Sequence, residues 1–568
     1  MKVPPSRWAV TRDPPADLVN LMSGSLNVPP VLSRLLVQRG YDSVERAKQF
    51  LRPTLDALSD PSSLPDMERA VELIADTVRS GDRILINGDY DVDGQCATAL
   101  LTRTLRAAGA DVVPFIPHRT RDGYDLGPAG VRAAAEAGVR LVITCDCGSR
   151  AHEAIDALRA AGRRVVVTDH HVPGALPQAD AIVNPRRGDP DAPTYDLCGA
   201  GVAFKLAQAL APVLGLPAAF PFHLIDLAAL ATVADVVPLV QENRILVRHG
   251  LRKLVETRWP GLRALIDTVG LAGKEIRAGQ VGFVLGPRLN AAGRIGDAMD
   301  GLALLLADDD EEARTRARQL ETLNAQRQEL DQRILDGALR MVDEEVDLDR
   351  DFGIVLARDD WHAGVIGIVA SRLVERFARP AILVAIENET GKGSGRSIPS
   401  FDLHDALTAC APHLVRYGGH RMAAGLTIER SRLGPFREAF NAVAVDRLSA
   451  DDLIPTQRVD AVVGLDAMDE PLERLLRHLE PCGMGNPGPV FGVRGARIRD
   501  PKAVGTNHLR FTLDDGGTRL AAIAFGWADR VEPSWSESPV DVAFRLDANE
   551  WRGTSTLQAR VVQLRPSA

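Results

Sequence analysis

Between Arg83 and Pro185 one unit recurs: a short run of aliphatic and β-branched residues, then an Ala-rich stretch with helical spacing. The runs are RILINGDY, DVVPFIP, VRLVITCD, RRVVVTDHH and ADAIVNP, and PAGVRAAAEAG and AHEAIDALRAAG are two of the stretches between them. Runs this short and apolar suit strands buried on both faces. Their alternation with helices calls for a parallel sheet covered on both sides.

The same runs end in residues that bind metals or move protons. Asp89, Asp91 and Asp93 follow the first run at alternate positions, Asp146 ends the third, and Asp169, His170 and His171 end the fourth. Open α/β sheets build their sites outside the carboxyl ends of their strands, so these groups are expected to meet. Asp235 closes an apolar helical run, LIDLAALATVADVVPL, where an acid is costly unless paired or ligated.

Carboxylates this close repel one another unless cations sit among them, although a helix N-cap accounts for one Asp equally well. Five or six carboxylate and imidazole ligands with no obligatory thiolate suit two divalent ions, Mn²⁺ or Mg²⁺, better than structural zinc. Two such ions about 4 Å apart stabilise both oxygens of a phosphoryl displacement. Cys145 and Cys147 flank Asp146 in CDC, but no second Cys/His pair lies at zinc-ribbon spacing.

At 568 residues the chain needs several domains. Residues 1–66 read as a Pro-rich, partly helical extension, 67–301 as the first α/β unit, and 302–350 as a connector of one or two long helices. Residues 351–458 read as a second α/β unit, and 459–568 as five or so short strands forming a small OB-like barrel. The start, MKVPPSRWAV, has no apolar run of signal-peptide length, and no stretch approaches the roughly 20 apolar residues of a membrane span, so a cytoplasmic protein is expected. The net charge of −9 argues against a uniformly basic nucleic-acid coat. It leaves room for a local basic groove, because metal-binding carboxylates contribute to that count.

NGDYDVDG, TDHH, LCGAGVAFKL, GPRLNAAGR, WHAGVIGIVASRL, GSGRS and GGHRMAAG together resemble motifs of the DHH phosphoesterase superfamily, in its branch of bacterial single-strand-specific exonucleases. The resemblance runs from about Leu85 to the C-terminus. It implies a parallel-sheet DHH catalytic domain and a smaller DHHA1 substrate-binding domain, joined by the helical connector around a cleft, with a terminal OB-like nucleic-acid-binding barrel. By position it gives Asp91 and Asp146, with Asp89, to one metal, and Asp93, Asp146, His170 and Asp235 to the other, so that Asp146 bridges. Asp169 would orient the histidines. His171 would contact the scissile phosphate or transfer a proton, with core packing as the alternative. Asp125 stands in GYDLG where family members usually carry Gly, which leaves the geometry of that loop open.

The DNA contacts implied are Arg119 beyond a strand end, Arg288, Asn290 and Arg294 in a turn entering a helix, and Ser394, Arg396 and His420 in Gly-rich turns. A salt-bridged surface turn is the plain alternative for the Arg288 segment. Phe491, Phe511, Phe525 and Trp527 are stacking candidates in the barrel, with core packing expected for most. The activity implied is a metal-dependent 5′→3′ exonuclease that releases 5′-mononucleotides from single-stranded DNA in repair and recombination. A single-strand-binding protein and a helicase of the recombination pathway are its candidate partners. The alternatives are a nanoRNA or cyclic-dinucleotide phosphodiesterase, a pyrophosphatase, and a catalytically silent DNA-binding scaffold whose mark would be lost ligands.

Overall fold

The structure, a computed structural model, describes residues 7–530, 535, 538–551 and 554–567; the opening residues MKVPPS lie outside these. The described chain divides into two compact units. One takes residues up to Gly40, Gln326–Leu476 and those from Pro489 on; the other takes Tyr41–Ala325 and Arg477–Gly488. The connector is one helix of 36 residues, Asp310–Glu345, and the unit boundary falls inside it.

Strands are numbered along the chain from β1 (Arg7–Val10). In the unit built around Tyr41–Ala325, β2 (Ile84–Gly88), β3 (Val112–Phe115), β4 (Leu141–Cys145), β5 (Arg164–Thr168) and β6 (Ala181–Val183) form one sheet in the order β3-β2-β4-β5-β6. Every pairing in it is parallel. Side chains alternate across the sheet. Ile84, Ile86, Ile143 and Val166 enter a core with the helices Val92–Ala107, Gly199–Val213 and Ile225–Ala234. Leu85, Val142, Val165 and Val167 enter a second core with Pro128–Glu136 and His152–Ala160. The helix Ile225–Ala234 is buried from Ile225 through Thr232, which its all-round apolar sequence requires. The segment Arg477–Gly488 is held to this unit by buried Arg244, which donates to the carbonyls of His478, Leu479, Glu480 and Pro481 as well as Phe50.

In the other unit, β7 (Ile354–Arg358), β8 (Ala381–Glu387), β9 (Thr390–Arg396), β10 (Arg416–Gly419) and β11 (Ala423–Glu429) lie in the order β10-β11-β9-β8-β7. Only β7 and β8 run parallel. The Gly-rich segments expected as turns are therefore largely strand. A Cβ on Gly391, Gly393 or Gly395 would lie 2.5, 2.6 or 2.9 Å from the side chains of Val384, Leu426 and Leu403, so these glycines admit close packing rather than mark bends.

Among the described residues the terminal sheet has six strands, β13 (Ala461–Val462), β14 (Phe491–Val504), β15 (His508–Asp514), β16 (Arg519–Phe525), β17 (Val540–Trp551) and β18 (Thr554–Pro566), closed by pairing of β14 with β17. Phe491 and Phe511 are buried in it, Phe525 is 49% exposed beside His508 and Arg560, and Trp527 is half-buried. The extension also holds a strand that its composition did not suggest. β1 pairs in parallel with β12 (Thr456–Val459), and Trp8 packs against Val459, Val490 and Ala543. No helix among the described residues is long and apolar enough to cross a membrane.

Candidate metal centre

The order of the parallel sheet reverses at β2. The chain steps to β3 on one side and returns to β4 on the other, and the crevice at such a switch point is where open α/β sheets place their sites. The two strands flanking it end in Gly88 and Cys145, so Asp89 to Asp93 and Asp146 are delivered to one place. The helix begins at Val92 with Asp91 as its N-cap: Asp91 Oδ1 accepts from the backbone N–H of Asp93 (2.9 Å) and Gly94 (3.1 Å). Gly94 is obligatory there, because a Cβ would lie 2.4 Å from the Asp89 carbonyl oxygen.

Asp93 is held from below by a second helix start. The N–H groups of Gly199 and Ala200 donate to its two oxygens at 2.6 and 2.7 Å, which fixes the carboxylate at a positive helix terminus. Asp146 has φ 63°, a left-handed conformation that costs a non-glycine residue on the order of 1 kcal/mol or more. Asp235 caps the C-terminus of the helix Ile225–Ala234.

Ligand atoms of Asp89, Asp91 and Asp146 lie within 4.8 Å of one another, and so do those of Asp93, His170 and Asp235 and those of Asp146, His170 and His171. His170 Nε2 is 3.1 Å from Asp146 Oδ1, 3.6 Å from Asp235 Oδ2 and 3.7 Å from Asp93 Oδ2. Yet His170 Nε2, Asp146 Oδ1 and Asp89 Oδ1 are buried without a hydrogen bond. Close approach without bonding geometry means that these atoms face a common point rather than each other. Buried orphan acceptors are rare, and a cation at that point would satisfy them.

The electrostatics agree. Burial, then the charge of the neighbouring carboxylates, raises Asp89, Asp146 and Asp235 well above the usual range and Asp93 to about 6. Four acids crowded in this way are stable as carboxylates only with positive charge among them. Burial lowers His170 to about 3, which keeps its imidazole neutral and ready to ligate. Asp169 behaves differently. Burial raises it, but the hydrogen bond and charge of His171 outweigh this and bring it to about 2. Its Oδ1 accepts from the His170 and His171 backbone N–H groups and lies 2.8 Å from His171 Nδ1. His171 is raised overall: burial opposes the charged form, but Asp169, Asp89 and Asp93 outweigh it.

The remaining sequence candidates divide. The Arg119 guanidinium lies over the Tyr90 ring, 4.6 Å from its centroid. Arg288, Asn290 and Arg294 lie on a helix, Gly286–Ile295, that follows a π-helical turn at Val281–Leu285, and not in a turn. Arg288 is engaged by Glu321 and by the Val284 carbonyl. In the other unit Ser394 and Arg396 sit on β9, with Arg396 Nη1 3.2 Å from Ser394 Oγ, and His420 lies between β10 and β11. Cys145 and Cys147 are fully buried, and burial pushes the Cys145 thiol up to about 12 and Cys147 well above its usual range, which disfavours thiolate ligation.

Sequence reasoning missed Tyr124, whose hydroxyl lies 3.3 Å from His171 Nδ1, and Cys198, whose thiol accepts from the Gly201 N–H and so caps the helix whose first N–H groups hold Asp93. A Tyr between Gly123 and Asp125, in a loop just past a strand end, was the available signal. Gly199 is equally tied to the centre, since a Cβ there would lie 2.5 Å from Asp146 Cβ and 2.9 Å from its Oδ1. Gly199→Ala is therefore expected to displace Asp146 and weaken Mn²⁺ affinity at least about tenfold. Calorimetric titration checks this, with a melting curve to confirm folding.

A parallel sheet that presents carboxylates and imidazoles at its switch point suits a metal-dependent phosphoesterase, and the DHH family N-terminal domain matches residues 83–232. The DHHA1 domain matches residues 351–446 and the RecJ OB domain residues 459–563. The chain is 36% identical to the single-stranded-DNA-specific exonuclease RecJ of Escherichia coli, over 98% of this chain and 97% of that one. It is 37% identical to RecJ of Bacillus subtilis, over 98% of this chain and 70% of that one. The crystal structure of Thermus thermophilus RecJ in complex with Mn²⁺ superposes with a TM-score of 0.86 at 36% identity, covering 99% of this chain and 80% of that one. The same protein is known in complex with Mg²⁺ (TM-score 0.81, 35% identity, 99% and 79% covered). This chain belongs to the RecJ family.

Proposed function

We propose that the chain is a metal-dependent, single-strand-specific 5′→3′ exodeoxyribonuclease that releases 5′-mononucleotides and acts in DNA repair and recombination in the cytoplasm. The observation that carries this reading is the convergence of Asp89, Asp91, Asp93, Asp146, His170 and Asp235 on orphaned, buried ligand atoms at the switch point. RecJ relatives named for single-stranded-DNA-specific exonuclease activity, and a RecJ structure with Mn²⁺, support it.

In this reading Asp89, Asp91 and Asp146 hold one divalent ion and Asp93, His170 and Asp235 the other, with Asp146 shared. Mn²⁺ or Mg²⁺ there supplies the positive charge that a phosphodiester needs as negative charge develops during hydrolysis. The protein does the rest. Helix starts at Val92 and Gly199 fix Asp91 and Asp93, and Asp169 fixes the His171 ring. His171, which Asp169 makes easier to protonate, then contacts the scissile phosphate or moves a proton there. The residues proposed to contact the DNA backbone are Arg119, Arg288, Asn290, Arg294, Ser394, Arg396 and His420. A single-strand-binding protein and a recombination helicase are the proposed partners. The silent-scaffold alternative would require missing ligands, and all six are present.

The test offers end-labelled single-stranded DNA, RNA and blunt duplex with Mn²⁺ or Mg²⁺ and sizes the products over time. Mononucleotides from the 5′ end of single strands are expected, and efficient digestion of blunt duplex would defeat the reading. Arg119→Ala and Arg396→Ala should each weaken substrate binding by about 1.5 to 3 kcal/mol, the worth of a charged phosphate contact, without loss of metal. Arg288→Ala is a less clean probe because it also strands Glu321.

A further inference from the structure

We propose that Asp125 is a positioning residue of the metal centre: its carboxylate fixes the backbone turn that carries Asp146. This rests on the metal reading given above.

The turn Asp146–Ser149 is tied down at every residue. Asp146 N–H donates to the Thr168 carbonyl (3.0 Å), Cys147 C=O accepts from Thr144 Oγ (2.7 Å), Gly148 N–H donates to Asp125 Oδ1 (2.7 Å) and Ser149 N–H to Asp169 Oδ2 (3.1 Å). Three of these partners belong to β4, β5 or the residue just past β5. Asp125 alone comes from a separate loop, 23 residues before Gly148. That loop is itself closed, because His118 and Asp122 bond backbone to backbone (2.8 Å) and His118 N–H donates to the Asp122 carboxylate (3.0 Å). Asp125 follows this closed turn by three residues.

The tether has work to do. Asp146 is held at φ 63°, and a non-glycine residue stays in that region only where its surroundings over-determine it. Asp125 itself sits at φ 78°, which turns its carboxylate so that one oxygen accepts both from Gly148 N–H and from Leu126 N–H (2.8 Å). Asp and Asn tolerate this conformation better than other non-glycine residues. Its neighbour Tyr124 reaches His171, so residues 124 and 125 brace two sides of the centre from one loop. Without the acceptor, Gly148 N–H is left unpaired in a part-buried position and the turn can relax. Asp146 belongs to two of the ligand groups, so both would loosen together.

The experiment measures Mn²⁺ affinity by calorimetry on the full chain, with steady-state kinetics and metal-free melting curves, for wild type, Asp125→Gly and Asp125→Asn. Glycine keeps the backbone conformation and deletes the acceptor; asparagine keeps both the conformation and an accepting oxygen. Asp125→Gly, which deletes one backbone-to-carboxylate bond, is expected to bind Mn²⁺ about 3- to 10-fold more weakly and to lower kcat with KM for DNA little changed. Asp125→Asn should recover Mn²⁺ affinity to within about twofold, because one accepting oxygen suffices. Wild-type affinity in the glycine variant, or equal loss in both variants, would overturn the proposal. Failure of the wild-type protein to bind Mn²⁺ would instead sink the metal centre itself, and this role with it.

Discussion

Asp146→Ala is expected to abolish turnover with Mn²⁺ and to leave the fold intact. Loss of a residue that merely orients a ligand costs roughly 10- to 100-fold, and Asp146 is a candidate ligand shared between two clusters, so a fall beyond about 100-fold is expected. Stability should move the other way. Asp146 is 2% exposed, and burial and then the charges of Asp93, Asp91, Asp89 and Asp235 raise its pKa. A carboxyl whose folded pKa lies above its unfolded value stabilises most at low pH, and that contribution is lost as pH rises from about 3.8 through the folded pKa. Metal-free Asp146→Ala should therefore melt no lower than metal-free wild type at neutral pH, and its advantage should widen as pH rises from 5 to 7. Saturating Mn²⁺ should reverse the order, since only wild type gains the linkage stabilisation, about 2.7 kcal/mol at 100 times the dissociation constant. Turnover within tenfold of wild type would remove the shared-ligand assignment.

Mn²⁺ affinity should fall steeply with acidification. Burial and neighbouring carboxylates push Asp93 up to about 6 and hold Asp89, Asp146 and Asp235 well above the carboxylate range, so an ion entering the centre must displace protons. Below about pH 6 the affinity should drop by up to about tenfold per pH unit for each proton displaced. His170, lowered to about 3 by burial, stays neutral through that range and adds nothing to the slope. Calorimetry in two buffers of different ionisation enthalpy counts the protons released. A flat affinity between pH 5 and 7 would mean that the carboxylates are already ionised without metal.

The centre was legible wherever local pattern alone determines position. An apolar run that stops at Asp146 or at Asp169-His170-His171 marks a strand end, and parallel strands present their ends together, so no long-range information was needed. Asp235 was legible because an acid that ends an apolar helix is tolerated there only when paired or ligated. What depends on distant partners was not. Arg288 is occupied by Glu321, 33 residues on, and no local feature announces that pairing. The glycines of β9 face Val384, Leu426 and Leu403, contacts that exist only once the sheet is assembled, so their spacing resembled turn signals. Gly199 meets Asp146 and Asp93 across more than 50 residues of intervening chain, and the carboxylate of Asp125, an apparent irregularity in its loop, accepts from the Gly148 backbone N–H, a bond that no side-chain pattern encodes.

The pairing of β1 with β12 imposes a timetable on biosynthesis. Arg7 leaves the ribosome 449 residues ahead of its partner Thr456 (456 − 7). At about 5 to 20 residues per second that interval is roughly 20 to 90 s. Throughout it, the parallel Tyr41–Ala325 sheet can complete itself, while Arg7–Val10 remains an unpaired edge with Trp8 uncovered, the kind of segment that recruits other nascent chains. The strand is four residues long and carries an Arg, which limits that hazard. A ribosome that pauses between residues 325 and 456 should thus hold a chain with a formed metal centre and an unpaired N-terminal strand, which a protease can cut near Trp8 until the remainder of the polypeptide is made.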